Sequence, residues 1–139
     1  MKKKIIISII FLVISNSSYP QKWVKYGSDS KGDTYYVDTD STKLVNGIIY
    51  FLGLRNLVKP DKNFGSLSSS GEFKVDCLEY KTMLINYKFY SGNMAKGKLI
   101  NSFAVQNQVW FHPPPNTIGD KQIKFICDLK KNTPVLLKY

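Results

Sequence analysis

Apolar and polar residues alternate through most of the chain between residues 23 and 111, the period of a half-buried β-strand. WVKYGS (residues 23–28) reads as a short strand, SKGD as a turn, and TYYVD (residues 34–38) as a second strand with an acidic stop. DTDSTKLVNG holds two turn signals and ends in Asn46-Gly47, a strong hairpin cue. IIYFLGLRNL (residues 48–57) is apolar on both faces, which predicts a central strand covered on at least one side. Residues 58–71 read as one long polar loop closed by a serine-glycine tract. In EFKVDC, Phe73, Val75 and Cys77 point one way and Glu72, Lys74 and Asp76 the other. The alternation slips at residues 78–81, predicting a bulge or bend, and Met83, Ile85, Tyr87 and Phe89 then form a second series. After the turn SGNMAKGK, FAVQNQVWF (residues 103–111) alternates once more.

Past the prolines Pro113, Pro114 and Pro115 the period changes. Thr117 is placed to cap a helix, with Asp120 three residues on. Over residues 118–129, Ile118, Ile123, Phe125, Ile126, Cys127 and Leu129 cover one broad arc, with Asp120, Lys124, Asp128 and Lys131 on the other. Strands first and one helix last predict an α+β fold: an antiparallel sheet of about six strands with a C-terminal helix packed on one face. No internal repeat is visible.

The N-terminus sets the compartment. Lys2, Lys3 and Lys4 precede an apolar run over residues 5–14, followed by Ser15, Ser17 and Ser18. This is the layout of a secretory signal peptide, expected to span residues 1–18 and leave a single domain over 19–139. The run is about half the roughly 20 residues a membrane span needs, although an uncleaved anchor stays open as an alternative. No cysteine lies near the cleavage region to carry a lipid. Export bears on the only two cysteines, Cys77 and Cys127. In an oxidising compartment two cysteines usually pair, and no C-x-x-C or histidine cluster supports redox or zinc chemistry. A disulfide tying the helix to the apolar face of the sheet is therefore expected.

The chain carries +10, and without the three lysines near its start +7. Arg55 is the only arginine. Bidentate reading of phosphates or bases prefers arginine, so the lysine excess points to diffuse attraction to polyanions and not to nucleic acid. Lys121, Lys124, Lys130 and Lys131 on the helix, with Lys96 and Lys98 in the SGNMAKGK turn, are the candidate contacts. The plainer expectation is that lysines simply solvate the surface, and that the many aromatics build the sheet core and rim.

Catalysis has little to stand on. His112, the only histidine, sits beside the prolines at a strand end, and Asp38 with Asp40 and Asp76 with Glu79 flank turns, where carboxylates bond locally. No phosphate-binding loop, nucleophile elbow or zinc motif is present. No catalytic residue, cofactor or metal is expected, and the chain is read as a non-enzyme.

Taken in order, several short motifs resemble the surface-adhesin protein E family of exported bacterial proteins. They are Trp23; Tyr35-Tyr36-Val37-Asp38 with Ser41 and Asn46-Gly47; Leu54-Arg55-Asn56; Asp76-Cys77; Trp110 with the triple proline; and Cys127. The resemblance implies a small antiparallel sheet with a disulfide-bonded C-terminal helix. It also implies a cell-surface role, binding extracellular-matrix proteins and heparin-like glycans, with peripheral outer-membrane association. The other reading is a periplasmic accessory module whose sheet holds a peptide or a small apolar ligand. Localisation is expected to be periplasm or cell surface.

Overall fold

The computed structural model describes residues 20–132; the expected signal segment lies outside them. Six strands form one antiparallel sheet in chain order: β1 (Trp23–Ser28), β2 (Thr34–Val45), β3 (Ile48–Asn56), β4 (Ser68–Asp76), β5 (Lys81–Tyr90) and β6 (Leu99–Ala104). Helix α1 (Ile118–Asn132) follows and rests against β1 and β5. Every strand pairs with its sequence neighbour, so each pairing closes only a short loop and costs little chain entropy. The β2–β3 turn is the expected Asn46-Gly47, with φ of 48° and 80°, the left-handed pair that a two-residue hairpin requires.

One face of the sheet and one stripe of the helix make the core. Val37, Ile49 and Val75 from the sheet, and Ile123 and Ile126 from α1, are fully buried, with Phe51 nearly so. Cys77 and Cys127 flank this cluster and are bonded, their Cα atoms 5.9 Å apart. The expected α+β fold, helix placement and disulfide are thus all present.

The strand limits differ in four places, each for a physical reason. The serine-glycine tract belongs to β4 and not to a loop. Ser68 is fully buried because its hydroxyl donates to the Gly92 carbonyl (2.6 Å) and accepts from the Ala95 amide (3.0 Å). β2 runs on past Asp38 through an irregular stretch, where the Ser41 hydroxyl accepts the Leu52 amide (3.1 Å) in place of a ladder partner. Residues 77–80 form the β4–β5 hairpin turn and not a bulge. The bulge lies in β5: Phe73 pairs with Leu84 but Glu72 with Asn86, leaving Ile85 extra. Directly paired residues share a face. Met83, opposite Lys74, therefore faces away from the helix, while Tyr87, opposite Gly71, faces towards it. The expected strand over 103–111 ends at Ala104. Phe103 pairs with Tyr87 and Phe111 with Thr82, so the outer segment is longer than the β5 stretch it follows and cannot keep register.

Asp120 also departs from its expected place on the polar arc. It is 3% exposed and bonded on every side: its carboxylate accepts from the Asn116 amide (2.9 Å), Lys124 Nζ (2.7 Å) and the Tyr80 hydroxyl. The Thr117 hydroxyl accepts the Asp120 amide (3.3 Å), the cap expected at this helix start. Lys124, then Tyr80, hold the Asp120 carboxyl down at about 2, against an ordinary 3.8. The Ser66 hydroxyl and then neighbouring amides do the same for Asp61, also about 2. A depressed carboxyl stabilises the fold above its unfolded value, and that contribution is lost as pH falls through the folded one. Stability should therefore decline from about pH 4 towards about pH 2. Thermal melts across that window should show a shallower slope for Asp120→Asn; an identical slope would remove Asp120 from the account.

Candidate functional site

α1 covers only part of the sheet face it packs on. Beyond its first turns, strands β3, β4 and β5 border an open cleft of about 520 Å³. Its floor is the directly paired Gly53 and Gly71. A Cβ on Gly53 would stand 2.9 Å from the Phe73 ring, and one on Gly71 would stand 2.9 Å from the Asn86 carbonyl oxygen. Neither position has room for a side chain, because the Phe73 ring lies against both.

Aromatic rings form the walls. Tyr26 and Tyr35, centroids 6.3 Å apart, stand on the β1–β2 side; Tyr87 and Phe89, edge to face at 5.3 Å, stand on the β5 side. Phe64 and Phe103 extend the second wall outward, at 4.7 and 6.1 Å from Phe89. All six rings are partly exposed, although Tyr26 also packs against Phe125 of α1, centroids 6.0 Å apart.

A few polar groups converge on this apolar trough. Gln122 of α1 donates from Nε2 to the Tyr26 hydroxyl (3.1 Å), leaving its carboxamide oxygen without a partner among the described residues. Ser69 lines the cleft beside Arg55, its cross-strand partner. Arg55 donates to Asp33 at 2.7 Å and lies 5.8 Å over the Tyr35 ring, whose hydroxyl donates to Asp29 (3.0 Å). Burial pushes the Tyr26 phenol far up, and burial followed by the Asp29 hydrogen bond pushes Tyr35 to about 12. Tyr26 and Tyr35, on the β1–β2 wall, are thus neutral phenols near neutral pH.

The chain matches the model of the surface-adhesin protein E family over residues 23–128. The chain belongs to that family. A second crystal form of protein E from Haemophilus influenzae has the same fold, with a TM-score of 0.58 at 19% identity, over 76% of this chain and 87% of that one. Protein E from non-typeable Haemophilus influenzae gives 0.54 at 18% identity, over 86% and 92%. No curated protein sequence matches the chain.

The charge balance named six candidate lysines, and the structure distributes them. Lys121, Lys124, Lys130 and Lys131 lie along α1, while Lys96 and Lys98 lie in the β5–β6 connection. No hydrogen bond or ion pair among the described residues links the two groups. Lys124 is held by Asp120 at 2.7 Å and Lys131 lies 3.8 Å from Asp128, whereas Lys96, Lys98 and Lys121 are exposed with no ion-pair partner among the described residues.

The remaining candidates from the sequence serve local structure. Asp38 accepts the Lys22 and Asp40 amides (3.0 and 3.2 Å), and Asp76 accepts those of Leu78 and Glu79 (3.0 and 3.1 Å). His112 is exposed beside the buried Pro113. Trp110 lies on the face away from the helix, with Lys74 and Lys81 ammonium groups 5.3 and 5.1 Å from its ring. Among the described residues no helix is long and apolar enough to cross a membrane, and no group of three or more potential ligands could hold a metal ion.

Periodicity missed the cleft itself. Its floor lies in a serine-glycine tract that reads as a loop, and its β5 wall depends on the Ile85 bulge. Tyr35 and Arg55 lie in the family-like motifs, but nothing local brings them to Gly71 or Gln122.

Proposed function

We propose that this protein is an exported, non-enzymatic binding protein that acts at the cell surface on matrix proteins or polyanionic glycans. The observation that carries the reading is the family match over residues 23–128, which include all six strands and most of α1. The exposed lysines support it: Lys96, Lys98 and Lys121 offer charge without a local anion to neutralise it. Residues 1–18 act as the export signal in this reading.

Attraction of this kind is between exposed charges, which salt screens over about 10 Å at 0.1 M. Immobilised heparin is expected to retain the protein at low salt and release it as salt rises. Replacing the six candidate lysines with glutamine should move release to clearly lower salt. Equal retention of that variant would remove the lysines from the reading. Loss of the protein when intact cells are treated with external protease, with a periplasmic control spared, is the expected sign of surface display.

The cleft favours a second reading, a periplasmic accessory module that holds a ligand against its sheet. Protection from external protease, together with indifference to heparin, would favour it.

A further inference from the structure

We propose that the cleft between α1 and strands β3 to β5 binds a neutral sugar ring of a glycan chain. The inference rests on the ligand-holding reading of the cleft and not on the lysine surface.

Three observations fix the chemistry. First, the walls are aromatic. Tyr35 on one side and Tyr87 with Phe89 on the other are half-buried, and their π-faces attract the positive C–H edges of a saturated ring. Second, uncharged hydrogen-bonding atoms stand among those faces. The Gln122 carboxamide oxygen and the Ser69 hydroxyl have no hydrogen-bond partner among the described residues and stay within reach of solvent. A purely hydrocarbon ligand would strip water from both and pair neither, a mismatch that binding sites discriminate against strongly. Third, the cleft offers no free charge. Arg55 is already matched by Asp33 at 2.7 Å, and Asp29 is bonded by Tyr35 and the Lys31 and Asp33 amides. An incoming anion meets two carboxylates around the one guanidinium, and an incoming cation finds both carboxylates already engaged.

A pyranose ring answers all three conditions. Its C–H patch stacks on an aromatic face while equatorial hydroxyls reach outward to donors and acceptors in the ring plane. The Phe73 ring lies against both glycines and adds an aromatic surface at the floor, and about 520 Å³ is within the range of ligand sites. The open mouth leaves room for the glycan to continue. Gln122 has a further part: by bonding Tyr26 it ties the first turns of α1 to the wall, so the site is assembled only when the helix is docked.

The test follows amide resonances of Gly53, Ser69 and Gly71 while neutral oligosaccharides containing glucose, galactose, mannose or N-acetylhexosamines are added. N-acetyltryptophanamide, a planar apolar probe, and heparin are run in parallel. At least one neutral sugar is expected to shift these amides, and to do so equally at salt on the order of 0.5 M, where exposed charges are screened. Tyr87→Ala and, separately, Gln122→Met should each weaken that binding about tenfold while leaving heparin retention unchanged. Gln122→Met keeps the volume of the side chain, so it serves where Tyr87→Ala loosens the fold. Silence of the cleft amides towards every neutral sugar at millimolar concentration would overturn the proposal. So would sugar binding that survives both substitutions, or tighter binding of N-acetyltryptophanamide than of any sugar. Absence of heparin retention bears on the lysines alone and leaves the sugar result to stand or fall separately.

Discussion

Removing the Cys77–Cys127 bridge, by reduction or by Cys77→Ser with Cys127→Ser, is expected to lower the unfolding free energy by about 4 kcal/mol and Tm by about 15 °C. The two cysteines are 50 residues apart in sequence, and the bridge encloses β5, β6 and most of α1. Cutting it frees a long loop in the unfolded chain while the folded contacts stay where they are, so the unfolded state gains more. The loss should also be uneven in the fold. α1 is tied near its start by the Asp120–Tyr80 and Gln122–Tyr26 bonds, and further along by the bridge. Amides after Cys127 should therefore exchange first in the reduced protein, while those of β3 and β4, at the centre of the sheet, stay protected. Urea titration with and without reductant, combined with hydrogen exchange, checks both parts. An unchanged midpoint would mean that the bridge is incidental to the fold.

Ile123→Ala should be nearly as damaging, at about 3 kcal/mol. Ile123 is completely buried where the helix meets Val37, Ile49, Phe51 and Val75. Truncation loses the burial of its side chain and leaves a cavity that a sheet on one side and a tethered helix on the other cannot close. Leu78→Ala is the control, since Leu78 is 93% exposed at the hairpin tip and should cost under about 0.5 kcal/mol. Similar midpoints for the two variants in urea would show that α1 does not pack as described. A domain of this size holds about 5–15 kcal/mol in total, so loss of both the bridge and Ile123 should leave it largely unfolded at growth temperature. The two lie one helical turn apart, so their costs need not add.

Much of this fold was legible from short-range pattern. Asn46-Gly47 names its own turn because two left-handed residues in sequence fit little else. β3 read correctly because a run apolar on both faces marks a central strand, and α1 because its apolar residues recur at the helical period and its cap is made by neighbours in sequence, Thr117 and Asp120. What failed was long-range in origin. Ser68 looks like loop material until its hydroxyl meets Gly92 and Ala95, which lie beyond another whole strand. Met83 and Ile85 look like one face with Tyr87 until the pairing with β4 shows that β5 carries one residue too many. Asp120 looks solvated until Tyr80, forty residues earlier, donates to it.

By itself the sequence determined the class of molecule: an alternating antiparallel sheet, one capped amphipathic helix, two cysteines expected to pair after export, and a lysine surface. These follow from residue type and spacing, which act over one turn of helix or one pair of strands. The tertiary structure alone decided where the chain leaves a surface open. The cleft is made of Gly53, Gly71, Tyr35, Tyr87, Arg55 and Gln122, drawn from five separate elements. No local period encodes it, because its shape is set by strand register, by the Ile85 bulge and by how far α1 extends across the sheet.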